Sequence, residues 1–185
     1  KTIEHVHWPD APDLWMTYAP AIKVKGGTTI YLAGVTAAPV YHHHPHRPEE
    51  FDSMPRDMEG QARAALENLK RGLEAVGATF ADVVTADRFV TDLSDEAAFN
   101  RVWAEYFRDA KPATTTVQVV RLATDPRCLV EINAVAVVEA RRGFVEQQNL
   151  TAERHRPGNA RTLQHSAGQL AGHQGLGMRQ LDRVQ

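Results

Sequence analysis

The sequence of 185 residues has one cysteine, Cys128, and no apolar run near the roughly 20 residues that a membrane-spanning helix needs. A single cysteine excludes an internal disulfide framework and a multi-cysteine metal site. The formal net charge of −2 gives no general attraction to nucleic acid or anionic lipid. The first residues also lack the basic-then-apolar pattern of a signal peptide. These absences predict a cytoplasmic protein that binds neither nucleic acid nor a membrane.

What is present indicates one globular domain with additions at both ends. Hydrophobic residues make up 43% of the chain and charged residues 24%, which is typical of a protein with a packed core. Residues 1–15 are rich in proline and aromatic residues without periodicity, and we interpret them as an extended arm. Residues 141–185 are polar, with widely spaced leucines, and we interpret them as a C-terminal extension. The predicted domain therefore spans residues 16–140.

Two helices follow from apolar stripes that repeat every three or four residues. The first stripe contains Met58, Ala62, Ala65, Leu69, Leu73 and Val76. The second contains Phe99, Val102, Trp103, Tyr106 and Phe107. Gly77 is a natural end for the first helix, and Pro112 prevents continuation of the second.

Segments rich in β-branched residues surround these helices. Strands are predicted at Ala21–Val24 and Thr29–Val35, as a hairpin around Gly26 and Gly27, and at Asp82–Val90. Two more strands lie within Lys111–Val138, joined by a short turn. The order β-β-α-β-α-β-β predicts an α+β fold with a mostly antiparallel sheet and both helices on one face. The other face needs a cover, which copies of the same chain would supply.

Glu131 stands in the middle of the last predicted strand, where a carboxylate is costly unless it is hydrogen-bonded or useful. Strand alternation places Glu131 and Asn133 on one face. If Thr114, Thr116 and Gln118 face the same cleft, Glu131 could hold a water or transfer a proton there. The alternative is a structural carboxylate satisfied by the backbone or by another subunit.

A long polar loop, Thr36–Pro55, contains His42, His43, His44 and His46. Histidine is suited to acid–base chemistry near neutral pH, so His44 is a candidate for substrate contact. The other interpretations are a solvated loop and a metal site. We assign no metal, because the loop has no carboxylate at ligand spacing and adjacent histidines on a loop seldom form a defined site.

Several segments, in order, resemble motifs of the RidA/YjgF family of enamine and imine deaminases. TYAPAIKV resembles the family's GPYSQAVKV and contains Tyr18, IYLAG resembles IYVSG and contains Gly34, and AAFNRVWAEYF contains Asn100. LVEINAVAVV resembles VEIEAIAVV and contains Glu131. The resemblance covers about residues 16–140. It implies a chorismate-mutase-like fold and a homotrimer with active sites between subunits.

The chain departs from the family at the residues that bind substrate. Family deaminases carry P-A-R-[ST]-[CT]-V, whose arginine pairs with the substrate carboxylate, whereas residues 112–117 read PATTTV and place Thr114 at that position. Asn133 replaces the second glutamate of VEIE. Another arginine could supply the missing charge, and Arg88, in a predicted strand, is the candidate. The alternative for Arg88 is a structural ion pair at a subunit interface.

The resemblance implies a cofactor-independent hydrolase that acts on an enamine or imine intermediate of a small catabolic metabolite. In this hypothesis Glu131 orients water, and Asn100 and Tyr18 orient the substrate. The absence of the arginine argues against simple 2-imino acids. The alternative is a non-catalytic trimer that binds a small molecule, and ribonuclease activity is less favoured because no basic patch with interleaved aromatics is present. The predicted substrate-binding residues are Gly34, Thr114, Thr115, Thr116, Asn133, Arg88 and His44.

Overall fold

The computed structural model of the protein describes residues 1–11, 16–108 and 110–139. The predicted C-terminal extension, residues 141–185, lies outside these ranges. The strands are β1 (Thr2–Val6), β2 (Ala21–Lys25), β3 (Thr28–Val35), β4 (Val83–Val90), β5 (Ala113–Gln118) and β6 (Val130–Val138). The helices are α1 (Met58–Ala75) and α2 (Glu96–Phe107). None of the helices in the described part of the chain has the length and apolar character required to cross a bilayer.

The main sheet has four strands in the order β3-β6-β4-β5. β6 runs antiparallel to both of its neighbours, and β4 and β5 are parallel to each other. Residues of α1 and α2 form one hydrophobic core with the buried side chains of β4 and β6. The predicted α+β architecture, with helices on one face, is confirmed. We name the other face, on which Tyr31 is 81% exposed, the open face.

The N-terminal region differs from the sequence-based prediction in two ways. Within the predicted arm, Thr2–Val6 forms β1, which pairs antiparallel with β2 in a separate two-stranded sheet. The predicted β2–β3 hairpin is wrong, since β2 pairs with β1 and β3 pairs with β6. Gly26 and Gly27 do form a turn with positive φ. A Cβ on Gly27 would come within 2.6 Å of Val137 Cγ1, so this turn passes too close to β6 for a side chain.

α1 begins and ends as its sequence predicts. Asp57 caps the helix by accepting a hydrogen bond from Gly60 N at 2.8 Å, and Gly77 follows the helix with a φ of 69°. The buried side of the helix includes one polar residue, Gln61. Its amide donates to the carbonyls of Pro55 (2.9 Å) and Arg127 (2.7 Å) and accepts from Leu129 N (2.7 Å). Gln61 therefore fixes the segment that leads into β6.

Arg127 ties the same segment to the histidine-containing loop. Its guanidinium donates to both carboxylate oxygens of Asp125, at 2.7 and 3.1 Å, to Asp52 at 2.7 Å and to the Pro48 carbonyl at 2.6 Å. The hydrogen bond from Arg127 holds the pKa of the Asp125 carboxyl below its usual value, against the opposing effect of burial. Charge-assisted pairs of this geometry are among the stronger polar contacts in proteins.

Replacing Asp125 by asparagine is expected to lower the free energy of unfolding at pH 7 by about 1–3 kcal/mol. Because the folded-state pKa of Asp125 is lowered, its stabilisation is complete above the unfolded-state pKa of about 3.9 and is lost as the pH falls through the folded-state pKa. The difference between wild type and Asp125→Asn should therefore shrink towards about pH 3. Urea unfolding of both proteins at pH 7 and at about pH 3 measures this difference in the free energy of unfolding. Glu74→Gln, an exposed carboxylate 4.0 Å from Lys70, is the control and should change stability by less than about 0.5 kcal/mol. An equal loss at both pH values would contradict the prediction.

Candidate active site

The open face carries two rows of side chains that cross three strands. The rows are Asn133–Asp87–Thr115 and Glu131–Phe89–Val117, in the order β6, β4, β5. Asp87 N donates a hydrogen bond to Asn133 Oδ1 at 3.2 Å, which holds that amide in place. The prediction that Glu131 and Asn133 share a face is confirmed, because Val130, Ile132 and Ala134 alternate with them and are buried beneath the helices.

The side chains of Thr114 and Thr116 lie on the opposite face from Glu131. The β4–β5 register pairs Thr114 with Ala86 and Thr116 with Arg88, both of which point towards the helices. Gln118 pairs with Val90 and follows the same alternation. Within one chain the register thus contradicts the expectation that these residues share a cleft with Glu131. Thr115 alone of the three threonines lies on the open face, since a strand reverses the faces of its side chains at each residue.

The carboxylate of Glu131 lies against the backbone of Gly34. Gly34 falls within the register shift between Leu32 and Val35, where β3 is irregular beside β6. A Cβ on Gly34 would overlap Glu131 Oε1 and come within 3.1 Å of Glu131 Cδ. To the other described residues the Glu131 carboxylate makes neither a hydrogen bond nor an ion pair. Its oxygens are therefore available to hold a water or a substrate group beside an exposed backbone.

Cys128 lies close enough to Glu131 to be affected by its charge, and it is fully buried. Burial raises the pKa of the Cys128 thiol, the Thr36 hydroxyl lowers it, and the negative charge of Glu131 adds to the rise. A thiol with a raised pKa and no access to solvent is a poor nucleophile. Cys128 is therefore a buried thiol, and the accessible acid–base group of this region is the Glu131 carboxylate.

Asn100 and Arg88 form a pair beneath α2. Arg88 Nη1 donates to Asn100 Oδ1 at 3.0 Å, and the guanidinium lies 5.3 and 5.0 Å from the ring centroids of Phe99 and Trp103. Arg88 is only 4% exposed, and burial lowers the pKa of its guanidinium while the charge of Glu96 partly offsets this. Arg88 lies on the same face of the sheet as Thr114, and within one chain its guanidinium is enclosed beneath α2. Its contact with Asn100 indicates a positioning role.

The three predicted catalytic residues do not converge within one chain. Glu131 lies on the open face, whereas Asn100 lies on the helix side of the same sheet. Tyr18 is half-buried and precedes Ala19, whose N–H donates to the Pro112 carbonyl at 3.3 Å. This contact places Tyr18 near the start of β5. A site that uses all three residues would need more than one copy of the chain.

The histidine loop brings three imidazole rings close together. The rings of His42, His44 and His46 have centroids 4.7–4.9 Å apart, and one ligand nitrogen from each lies within 4.8 Å of the others. The three residues therefore have closely spaced ligand nitrogens, which the sequence alone does not predict. His44, predicted to contact substrate, is the exposed member of the cluster.

The comparison with known proteins identifies the family. A model of the endoribonuclease L-PSP family matches residues 9–138. The chain belongs to this family. It is 35% identical over 136 residues to a RutC family protein of Pyrococcus horikoshii, which covers 74% of this chain and 98% of that protein. It is 34% identical over 131 residues to the 2-iminobutanoate/2-iminopropanoate deaminase of Dermatophagoides farinae, covering 71% of this chain and 93% of that protein.

A solved structure agrees with this assignment. The crystal structure of RidA from the Antarctic bacterium Psychrobacter covers 73% of this chain and 99% of that chain, with 30% identity and a TM-score of 0.50. The predicted membership of the RidA/YjgF superfamily is confirmed. Relatives in this family include proteins named as imine deaminases or reactive intermediate deaminases.

Two features of the site were not among the residues predicted from the sequence. Asp87 stands beside Asn133 and adds a second carboxylate to the open face. A carboxylate in a strand of mostly apolar residues was a signal for it, as for Glu131. Asn68 of α1 donates to the carbonyls of Thr36 and Ala38, both at 2.9 Å, and so fixes the chain where the histidine loop leaves β3. That role depends on tertiary contacts, and no local pattern predicts it.

Proposed function

We propose that this RidA/YjgF protein is a hydrolase that releases ammonia from an enamine or imine intermediate of a small catabolic metabolite. The observation that supports this most is the Glu131 carboxylate, held against Gly34 on the open face without a partner among the described residues. Such a carboxylate can orient a water for attack on a C=N carbon and accept its proton. Release of ammonia then leaves a carbonyl product. A cytoplasmic location stays a prediction.

The charge of the open face favours a substrate without a carboxylate. Its two rows contain Glu131 and Asp87 and include neither lysine nor arginine. Thr114 lies on the other face, and the guanidinium of Arg88 is enclosed beneath α2. An anion placed against two carboxylates would be repelled, whereas a neutral or cationic imine would not. The same charges disfavour an RNA substrate.

We propose a homotrimer in which the active site lies between subunits. Neither α1 nor α2 covers the open face; the cluster around Phe51 packs against Phe89 there, while Tyr31 and Val117 stay 81% and 43% exposed. Glu131 and Asn100 lie on opposite sides of one sheet, so a shared site requires a neighbouring copy. Light scattering on the full chain tests this assembly, and a monomer at micromolar concentration would contradict it.

A matched pair of substrates tests the proposed preference. The full chain is incubated with a freshly generated 2-imino acid and, separately, with the corresponding imine amide, which lacks the carboxylate. We expect kcat/KM for the amide to exceed that for the acid by at least about 30-fold, because an unpaired charge costs about 2 kcal/mol or more at a desolvated site. Ammonia release, corrected for spontaneous hydrolysis, is the measurement. Equal or faster release from the 2-imino acid would show that the missing arginine does not set specificity.

A further inference from the structure

The histidine loop contains a three-imidazole cluster that the proposed hydrolysis does not use. His42, His44 and His46 alternate along the chain, and their ring centroids are separated by 4.7–4.9 Å. Their ligand nitrogens lie within 4.8 Å of one another. A tetrahedral site with metal–nitrogen bonds of about 2.0–2.1 Å needs nitrogens about 3.3 Å apart. Ring rotations that close the cluster by about 1.5 Å or less would meet this requirement.

The surroundings of the cluster hold it in place. Phe51 is fully buried, and its ring lies 5.3 Å from the centroid of His42 and 5.7 Å from that of His46. Phe51 belongs to a second hydrophobic cluster that includes Met54 and Cys128. The Arg127 guanidinium donates hydrogen bonds to the Pro48 carbonyl before Phe51 and to the Asp52 carboxylate after it. Asn68 thus holds the start of the loop at Thr36 and Ala38, and Phe51 and Arg127 hold its later part against the domain.

Two nitrogens are prepared to bind an ion. His42 Nδ1 lies 2.8 Å from the Pro39 carbonyl, an acceptor that requires the proton on Nδ1 and leaves the lone pair on Nε2. Hydrogen bonds of this kind orient metal-binding histidines in known sites. His46 Nε2 is buried and has no hydrogen-bond partner among the described residues. A buried nitrogen without a partner needs an explanation, and a bound ion provides one.

The neighbouring His43 does not share this arrangement. Its Nδ1 lies 2.7 Å from Glu50 Oε1, and its backbone N–H donates to the same carboxylate at 3.1 Å. The hydrogen bond from His43 lowers the pKa of Glu50 and engages that carboxylate with His43. The cluster therefore offers imidazole ligands without a carboxylate, which suits zinc, copper, nickel or iron and does not suit magnesium or calcium.

We propose that His42, His44 and His46 bind one divalent transition-metal ion, with Zn²⁺ as the ion that fits best. Three imidazoles with a fourth position open to water or a small ligand is a known arrangement for zinc. This site is independent of the Glu131 hydrolysis proposed above, so either proposal can fail without the other.

Titration of the untagged full chain, after removal of metal by a chelator, tests the site. Co²⁺ is used first, because its visible absorption reports tetrahedral nitrogen coordination, and Zn²⁺ is then measured by displacement of Co²⁺. We expect one equivalent to bind. His44→Ala, a change at an exposed residue, should weaken binding at least about tenfold, and His43→Ala should change it less than about threefold.

Thermal unfolding gives a second measurement that does not depend on the spectrum. An ion that binds only the folded state raises Tm by an amount that grows with the logarithm of its concentration divided by its Kd. Zn²⁺ should therefore raise the Tm of wild type and of His43→Ala, and should have little effect on His44→Ala. Binding that His44→Ala leaves unchanged, or that both variants weaken equally, would overturn the proposal by assigning the ion to histidines elsewhere. Absence of saturable binding up to about 1 mM Zn²⁺ or Co²⁺ would overturn it as well.

Discussion

The Glu131→Gln variant is expected to lose about two to four orders of magnitude in kcat/KM on an imine that the wild type hydrolyses. Glutamine keeps the size of the side chain, so it fits beside Gly34 and can still donate and accept hydrogen bonds. It cannot take the proton of the attacking water. The loss should therefore appear in kcat, with KM changed less than about threefold. Steady-state kinetics of ammonia release measure both constants.

The control for this variant is Glu105→Gln. This variant makes the same chemical change at an exposed residue of α2, whose carboxylate lies 2.7 Å from the Arg63 guanidinium. It should keep wild-type kinetics. Activity of Glu131→Gln within about threefold of wild type would exclude Glu131 as the base. A wild type that binds an imine analogue but hydrolyses neither the 2-imino acid nor the imine amide would favour the non-catalytic binding protein instead.

A substitution at Gly34 tests whether the position of the Glu131 carboxylate matters for activity. Gly34→Ala puts a methyl group where Glu131 Oε1 lies, so the carboxylate must move or the irregular part of β3 must shift. Gly72→Ala adds the same methyl group on α1, where it meets only Leu32 Cδ2 at 3.2 Å. If the position of the Glu131 carboxylate matters, Gly34→Ala should lower kcat/KM for ammonia release and Gly72→Ala should leave it unchanged.

Features set by local periodicity could be predicted from the sequence. The apolar stripes of α1 and α2 predicted their buried sides, from Leu69 and Leu73 to Phe99 and Trp103. Strand alternation predicted that Glu131 and Asn133 share a face. These predictions held because a helix or a strand fixes the relative directions of its own side chains.

Features set by contacts between distant segments could not be predicted in this way. Alternation within β5 leaves open which face Thr114 occupies, and only the pairing with β4 decides it. The pairing of β2 with β1 depends on a strand in a segment without apolar periodicity. The histidine cluster depends on Phe51 and Arg127, which follow it in the sequence and hold the loop from below. Arg88 is a further case, since its burial depends on the rings that α2 places over it.

Replacing Arg88 by methionine is expected to raise the free energy of unfolding by about 1 kcal/mol or more while lowering kcat at least about tenfold. The buried guanidinium has one hydrogen bond, to Asn100, and no ion pair with a described residue, and its Nε has no partner. Desolvation of such a group outweighs its contacts with Phe99 and Trp103, and an apolar side chain of similar length fills the same space. Asn100 then loses the donor that orients it.

The opposite signs of these effects distinguish a positioning residue from a structural one. Arg101→Met is the control, because Arg101 is exposed on α2 and its guanidinium lies 3.9 Å from Glu59. It should leave both stability and kcat near wild type. Arg88→Ala should lower stability by about 3 kcal/mol, since it leaves a void between the two rings. If Arg88→Met were destabilised as much as Arg88→Ala, the charge itself would support the core. If Arg88→Met kept wild-type kcat, the contact with Asn100 would serve only the fold. A rise in the free energy of unfolding together with a fall in kcat in Arg88→Met would show that the buried charge costs stability and serves activity through Asn100.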